Sequence, residues 1–98
     1  MLYYAVRVYT PFVGEEVDVY ICAENHDEYI SKASEAAGEN GMEWFDEGEW
    51  LERWGFDKDE DDAEAIIEEY YAQCGWRLIS EMTKEEYEQK NKEGEWCV

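Results

Sequence analysis

The stretch LYYAVRVY, Leu2–Tyr9, alternates between two faces as a β-strand does, with Tyr4, Val6 and Val8 on the apolar face. A second alternating stretch, VDVYICA at Val17–Ala23, follows after a short break and places Val17, Val19 and Ile21 together. The break contains Pro11, which cannot donate a ladder hydrogen bond, and Gly14, which tolerates a positive φ. We therefore predict an antiparallel hairpin.

A helix follows the hairpin, with Asn25 as its N-cap and Glu28, three residues on, as the capping-box partner. Its inner stripe at helical spacing consists of Tyr29, Ile30, Ala33, Ala36 and Ala37. Gly38 or Gly41 is expected to end the helix, because glycine is common just past a helix C-terminus.

Two more helices are predicted in the middle of the chain. A short one runs from about Asp46 to Trp54 and stops at Gly55, with Trp50, Leu51 and Trp54 on one face. The next is capped by Asp61 or Asp62 and ends before Gly75, a suitable C′ residue. Its apolar stripe is the clearest in the chain and comprises Ala63, Ile66, Ile67, Tyr70, Tyr71 and Cys74.

The rest of the chain predicts a third strand and a last helix. Trp76–Glu81 alternates as a strand, and Thr83 to Glu86 forms a capping box that opens a helix to about Lys92. Tyr87 is the one clear apolar anchor of this helix, and Gly94 ends it. The tail after Gly94 either docks or frays.

These elements predict a single acidic α+β domain over residues 1–98. It has a small antiparallel sheet of about three strands packed with three to four helices, in the order ββααβα. The chain is 45% hydrophobic and 16% aromatic, which argues against a disordered acidic tail. No stretch approaches about 20 apolar residues, and the start lacks a signal-peptide pattern, so we expect a protein of the bacterial host cytoplasm, away from membranes.

Charge is the strongest functional clue. The formal net charge is −19, and the segment Glu24–Asp62 holds fifteen acidic residues against Lys32, Arg53 and Lys58. Such a field repels nucleic acid, which makes direct nucleic-acid binding an unexpected role, and it attracts basic surfaces. The alternative is a surface that serves solubility, which would spread acids over all faces rather than cluster them.

The charge run also resembles the start of a calcium loop. Asp57, Asp59 and Asp61 reproduce the D-x-D-x-D pattern of an EF-hand, and Glu68 stands at position twelve. Position six is Asp62 where the sharp turn needs glycine, and Glu68 falls within the strongest helical pattern. We therefore predict at most loose, incidental binding of divalent cations.

Other chemistry finds little support in the residue pattern. A zinc site would need His26, the only histidine, together with the widely spaced Cys22, Cys74 and Cys97. We interpret Cys22 and Cys74 as small hydrophobic residues of a shared core. No nucleophile–base set or phosphate-binding loop is present, so we predict neither an enzyme nor a bound cofactor or metal.

An aromatic and acidic band covers Met42 to Phe56, and it includes Trp44, Trp50 and Trp54. Part of the band is expected in the core. Exposed aromatic residues ringed by charge mark interaction sites, and tryptophan dominates binding hot spots. The band therefore supports an alternative function, that of a protein–protein adaptor whose acidity serves solubility.

In size, negative charge and mixed α+β pattern, the chain resembles the small acidic inhibitors of phages and mobile elements, the anti-CRISPR and anti-restriction proteins that mimic DNA. The resemblance implies a basic partner such as a Cas effector or another DNA-binding enzyme. It further implies that the chain blocks PAM reading or the guide–target channel, which are lined by arginine and lysine.

We therefore predict an inhibitor that presents a DNA-mimicking acidic surface to a basic nucleic-acid-handling protein. Rows such as Glu43/Asp46/Glu47 and Glu49/Glu52 would imitate a phosphate track, because helical carboxylates three or four positions apart lie about 5–6 Å from each other. The expected contact residues are Glu43, Asp46, Glu47, Glu49, Trp50, Glu52, Trp54, Asp57, Asp59, Glu60, Asp61 and Asp62.

Overall fold

The computed structural model of the chain describes residues 1–12, 16–55 and 62–98. Its elements are β1 (Leu2–Tyr9), β2 (Val17–Ala23), α1 (His26–Trp44), α2 (Glu47–Trp54), α3 (Ala63–Gln73), β3 (Gly75–Glu81) and α4 (Lys84–Lys92). The three strands form an antiparallel sheet in the order β2-β1-β3. The predicted α+β class is confirmed, and the elements follow one another as ββαααβα, since the three helices predicted individually between the second and third strands are all present.

The main core lies between the sheet and α1. The predicted alternation sets the register of β1 and β2, with Val6 opposite Val19 and Val8 opposite Val17. Val6, Val8, Val19 and Ile21 are fully buried against the α1 side chains Tyr29, Ala33, Ala36 and Ala37. Small residues on α1 let the helix approach the sheet closely, and each buried valine or isoleucine contributes about 1.5–3 kcal/mol.

α1 begins as predicted and ends later than predicted. Asn25 is its N-cap and accepts a hydrogen bond from the Glu28 amide at 2.9 Å. The prediction that Gly38 or Gly41 ends the helix is wrong, since α1 continues to Trp44. A Cβ at Gly41 would lie 2.9 Å from the Cys74 Sγ atom, so this glycine serves a close helix contact rather than a helix end.

Ile30 is a second correction on α1. It was assigned to the inner stripe, but its side chain is 40% exposed while Tyr29 is buried. Tyr29 takes the place facing the sheet, where its ring packs 4.2 Å from that of Tyr4. Adjacent positions on a helix are separated by about 100°, so the two side chains cannot both face the sheet.

A second, smaller core joins α2 and α3. Phe12, Trp50 and Tyr70 are buried together, and Phe45, Ile66 and Cys74 pack against them. Of the predicted α3 stripe, only Tyr70 is buried, whereas Tyr71 is 39% exposed. The hydroxyl of Tyr70 donates a hydrogen bond to the Gly41 carbonyl at 2.8 Å, which connects this core to α1.

Gly75 and the C-terminal tail each have a role that the sequence left open. Gly75 directly follows the C-cap residue Cys74, so it holds the predicted C′ position of α3, and it also begins β3. A Cβ there would lie 2.7 Å from the Tyr9 hydroxyl. The tail docks on the outer edge of β2: the Tyr20 amide donates to the Trp96 carbonyl at 2.8 Å, and the Val98 amide donates to the Tyr20 carbonyl at 2.9 Å.

α4 lies on the sheet face opposite α1. Its capping box between Thr83 and Glu86 is present as predicted, and Gly94 after the helix has φ 80°. Tyr87 packs its ring 5.4 Å from that of Tyr3 and donates a hydrogen bond to the Val98 carbonyl at 3.2 Å. None of the helices in the described residues is long and apolar enough to cross a membrane.

Candidate partner-binding surface

α2 is a short helix whose ends are both capped by local signals. The Asp46 carboxylate accepts a hydrogen bond from the Glu49 amide at 3.0 Å, and Gly55 adopts the left-handed conformation at φ 64°. Trp50 is buried on the inner face of the helix, while Glu47, Glu49 and Glu52 are exposed. The predicted helix is confirmed, and its acids face solvent.

α3 begins at a second aspartate cap. Asp62, one of the two predicted capping residues, accepts a hydrogen bond from the Glu64 amide at 3.0 Å. The indole Nε1 of Trp50 donates to the Ile66 carbonyl on α3 at 2.7 Å. This bond and the rings around Tyr70 hold the two acid-bearing helices against each other.

The two helices and their flanks form what we call the acidic surface. Its members are all exposed and comprise Glu43, Asp46, Glu47, Glu49, Glu52, Asp62, Glu64, Glu68 and Glu69. Within the same described stretches, 43–55 and 62–73, Arg53 is the only basic residue. The surface therefore has an excess of eight negative charges, and its potential is strongly negative.

Arg53 neutralises little of this excess. Its guanidinium lies 3.8 Å from a Glu49 carboxylate oxygen, 3.4 Å from the Pro11 carbonyl and 4.8 Å from the centroid of the Phe12 ring. Two of these three contacts are therefore with Pro11 and with Phe12 of the second core, and only one is with a carboxylate. By contrast, the part of the chain that the structure describes has four ion pairs elsewhere: Arg7–Asp18, Lys32–Glu28, Arg77–Glu16 and Lys90–Glu93.

The structure separates the predicted contact residues into three groups. Glu43, Asp46, Glu47, Glu49, Glu52 and Asp62 are exposed members of the acidic surface. Asp57, Asp59, Glu60 and Asp61, and with them the calcium-loop pattern, lie outside the described residues. The two tryptophans differ: Trp54 is 49% exposed, whereas Trp50 is 4% exposed and is removed from the candidate contact surface by its burial.

The predicted row Glu43/Asp46/Glu47 also needs correction. Glu43 belongs to the last turn of α1, Asp46 is the N-cap of α2 and Glu47 is its first residue, so the three do not follow one helix. Regular pairs are instead Glu49 with Glu52 on α2 and Glu64 with Glu68 on α3. Such pairs have Cβ atoms about 5–6 Å apart.

Glu64, Glu68 and Glu69 were missed as site residues. Their signal was present in the sequence, because they lie between the apolar positions of the α3 stripe and must face away from Tyr70. They belong to α3 and not to the band of Met42 to Phe56, so their place beside that band does not follow from the local sequence pattern. The contact between Trp50 and Ile66 adds them to the surface.

The cysteines do not form a shared core or a metal site in the described part of the chain. Cys74 packs in the second core, while Cys22 alternates with the core residue Ile21 on β2, so the predicted shared core is wrong. All three cysteines are free, and across the described ranges no group of three or more His, Cys, Asp or Glu is placed to hold a metal ion. Burial raises the pKa of the Cys74 thiol, which disfavours the reactive thiolate.

Comparison with known proteins adds no relative: no family model, curated protein or solved structure matches the chain. Any interpretation of the function therefore depends on the geometry and charge of the acidic surface. Its carboxylates can attract and pair with cationic side chains.

Proposed function

We propose that the chain inhibits a basic nucleic-acid-handling protein by occupying the site that normally receives nucleic acid. The observation that carries the proposal is the acidic surface. It presents nine exposed carboxylates and one arginine on α2, α3 and the residues that flank them, and the Trp50–Ile66 hydrogen bond holds α2 and α3 together. A disordered acidic segment would have to be ordered on binding, whereas this surface is already folded, so less entropy is lost.

Charge spacing supports a nucleic-acid site as the target. Duplex DNA presents about one charge per 1.7 Å of axis, and proteins that bind it arrange lysine and arginine along that track. Acidic residues whose Cβ atoms lie about 5–6 Å apart on α2 and α3 present a repeated series of carboxylates to such a row of cations. The mutual repulsion of the acids is relieved when the cations dock, which favours the complex over the free inhibitor.

Among such targets, a CRISPR effector is the first candidate. The chain resembles the acidic inhibitors of phages and mobile elements in size and charge, and effectors of this kind read the PAM and hold the guide–target duplex with arginine and lysine. Binding there would block target DNA or PAM recognition without any catalytic step by the inhibitor.

The experiment is a competition assay with matched charge variants. Purified CRISPR effectors and restriction enzymes are titrated with the chain, and displacement of labelled duplex DNA is measured at several salt concentrations. One variant carries Glu43→Gln, Glu52→Gln and Glu68→Gln in the acidic surface. The control carries Glu35→Gln, Glu39→Gln and Glu88→Gln, which are exposed residues of α1 and α4 outside that surface.

Both variants have the same net charge, so a loss of overall electrostatic attraction would weaken the binding of both variants equally. We expect the surface variant to bind about tenfold more weakly than the control, the sum of three exposed charge contacts. Affinity of the parent chain should fall steeply with salt. Equal affinities of the two variants, or binding that persists in 0.5 M salt, would contradict the proposal.

A second candidate function, that of an adaptor docking through aromatic residues, is favoured by one observation. Met42, Trp44 and Trp54 are 70%, 44% and 49% exposed, so large apolar side chains near the ends of α1 and α2 are available for contact. An adaptor of this kind would bind in high salt and lose affinity in Trp44→Ala or Trp54→Ala. The charge variants above would leave its binding unchanged, so one set of measurements distinguishes the two functions.

A further inference from the structure

A groove of about 400 Å³ lies where α1, the end of α3 and the start of β3 meet. Aromatic rings of Tyr9, Tyr71 and Trp76 line it, and Ala37 and Gly38 of α1 contribute its small residues. The groove lies between the two cores, since Ala37 belongs to the main core and Cys74 packs against the second core. The acidic surface does not include its lining residues. The aromatic lining limits the kinds of ligand that the groove can bind.

Two of the aromatic walls, Trp76 and Tyr71, are held in place by contacts with neighbouring side chains. The Trp76 ring packs edge-on against Tyr29 at 5.4 Å and 76°, and its Nε1 points to the Ser34 hydroxyl at 3.4 Å. Tyr71 packs edge-on against the buried Tyr70 at 5.1 Å and 84°. The rings are thus fixed before any ligand arrives, which lowers the entropic cost of binding.

Gly38 leaves the groove open. A Cβ added at this position would meet no atom within 4 Å, although the residue lies inside the 19-residue helix α1. Glycine inside a helix is unfavourable compared with alanine, and packing requires it at Gly41 but not at Gly38. The space beside position 38 is therefore open, and a side chain larger than that of alanine would occupy part of the groove that Gly38 lines.

The chemistry of the groove favours a cation. None of the described residues that line it is charged, and aromatic faces carry a negative quadrupole that attracts cations. Tyr71 lies three residues after Glu68, so the groove borders the acidic surface on the same helix. The chain as a whole has a net charge of −19, which adds to the local attraction.

We propose that this groove receives an arginine side chain of the basic partner. Arginine suits it better than lysine, because the planar, weakly hydrated guanidinium stacks on aromatic rings while its N–H groups donate to neighbouring hydroxyls. Ser34, Tyr9 and Tyr71 supply hydroxyl oxygens at the groove. The inference rests on the proposed function for the existence of a basic partner, and it adds a specific anchor to the charge contacts.

The test uses hexa-arginine and hexa-lysine peptides as probes of equal charge. Binding is measured by calorimetry, and the indole N–H signal of Trp76, assigned through a Trp76→Phe variant, is followed by NMR during the titration. Gly38→Leu fills the groove, and Gly38→Ala is the matched control that changes the helix without filling it. Tyr71→Leu is a second variant that removes one aromatic wall in case Gly38→Leu disturbs the fold.

We expect hexa-arginine to shift the Trp76 signal and to bind Gly38→Leu and Tyr71→Leu about fivefold more weakly than Gly38→Ala, with a smaller change for hexa-lysine. An unmoved Trp76 signal, or equal affinities for the Leu and Ala variants at position 38, would overturn the inference. The Glu43/Glu52/Glu68 variant serves as a separate arm. If this variant is the only one that binds the peptides more weakly, the acidic surface binds cations but the groove does not. If this variant binds the peptides as tightly as the parent chain does, the proposed function is contradicted.

Discussion

The indole Nε1 of Trp50 donates a hydrogen bond to the carbonyl oxygen of Ile66 at 2.7 Å. This single bond spans sixteen positions and joins α2 to α3, the two helices that carry most of the acidic surface. Around it, the Trp50 ring packs edge-on against Phe12 at 6.0 Å and Tyr70 at 5.4 Å. The geometry of the acidic surface therefore depends on a side chain that is itself buried.

Trp50→Phe should lower the free energy of unfolding by about 1–3 kcal/mol, since it removes the bond to Ile66 and part of the ring volume. Trp54→Phe is the matched control, because Trp54 is 49% exposed and should change stability by less than about 0.5 kcal/mol. Urea denaturation followed by circular dichroism measures both. Equal effects of the two substitutions would show that Trp50 does not hold the helices together.

The glycines of α1 provide a second prediction, because Gly38 and Gly41 lie one turn apart in different surroundings. Gly38→Ala should stabilise the protein by about 0.5–1 kcal/mol, the usual gain from removing glycine inside a helix. Gly41→Ala should be less stable than Gly38→Ala by roughly 1–2 kcal/mol, because the new Cβ meets the Cys74 sulfur at 2.9 Å.

A double-mutant cycle tests the cause of that difference. In a Cys74→Ala background the sulfur is absent, so Gly41→Ala should then behave like Gly38→Ala. Chemical denaturation of the four proteins measures the coupling. Additive effects of Gly41→Ala and Cys74→Ala would mean that some contact other than the sulfur requires glycine.

The same contact explains why the end of α1 could not be predicted from the sequence. Strand alternation, aspartate and threonine caps and the α3 stripe are local signals, and they located six of the seven elements within a residue or two. Whether Gly41 ends a helix or admits Cys74 depends on a residue more than thirty positions away. Docking of the tail on β2 is a similar long-range event.

The candidate site, like the fold, could be predicted in part from the sequence. Exposure of Glu47, Glu49 and Glu52 follows from the amphipathic pattern of α2. Burial of Trp50 but not of Trp54 could not be derived from that pattern, because both belong to the same predicted face. Only the position of α3, fixed by Tyr70 and Ile66, decides which tryptophan is covered.

Tyr70 gives a prediction for alkaline solution. Burial raises the pKa of its hydroxyl above the ordinary value near 10, so the folded state keeps a proton that the unfolded state loses. Its stabilising contribution is therefore present below about pH 10 and is lost as the pH rises toward the higher pKa of the folded state. The parent protein should become steadily less stable above about pH 10.

Tyr70→Phe separates this effect from the hydrogen bond that Tyr70 donates to Gly41 at 2.8 Å. The variant should be less stable by about 1–2 kcal/mol at pH 7, because the buried Gly41 carbonyl loses a partner. Between about pH 9 and 11 its stability should fall less than that of the parent. Tyr71→Phe, at an exposed position, is the control. Parallel pH profiles for Tyr70→Phe and the parent would rule out this role of Tyr70.

The last prediction concerns the acidic surface without any partner. Like charges one helical turn apart cost roughly 0.2–0.5 kcal/mol each, so the exposed acids of α2 and α3 destabilise the isolated chain. The variant with Gln at positions 43, 52 and 68 should be more stable than the parent by about 1 kcal/mol at low salt. The variant with Gln at 35, 39 and 88 should gain less, because its acids lie where the described ion pairs offset more of the charge.

Salt provides the discriminating measurement. Added salt screens exposed charges, so it should stabilise the parent and narrow the gap between the parent and the variant changed at 43, 52 and 68. Thermal unfolding at about 20 mM and 500 mM sodium chloride measures both effects. Equal stability of the two Gln variants at low salt would mean that the repulsion is spread evenly over the molecule. The acidic surface would then hold no more strain than the rest of the chain, and docking of a basic partner there would relieve none.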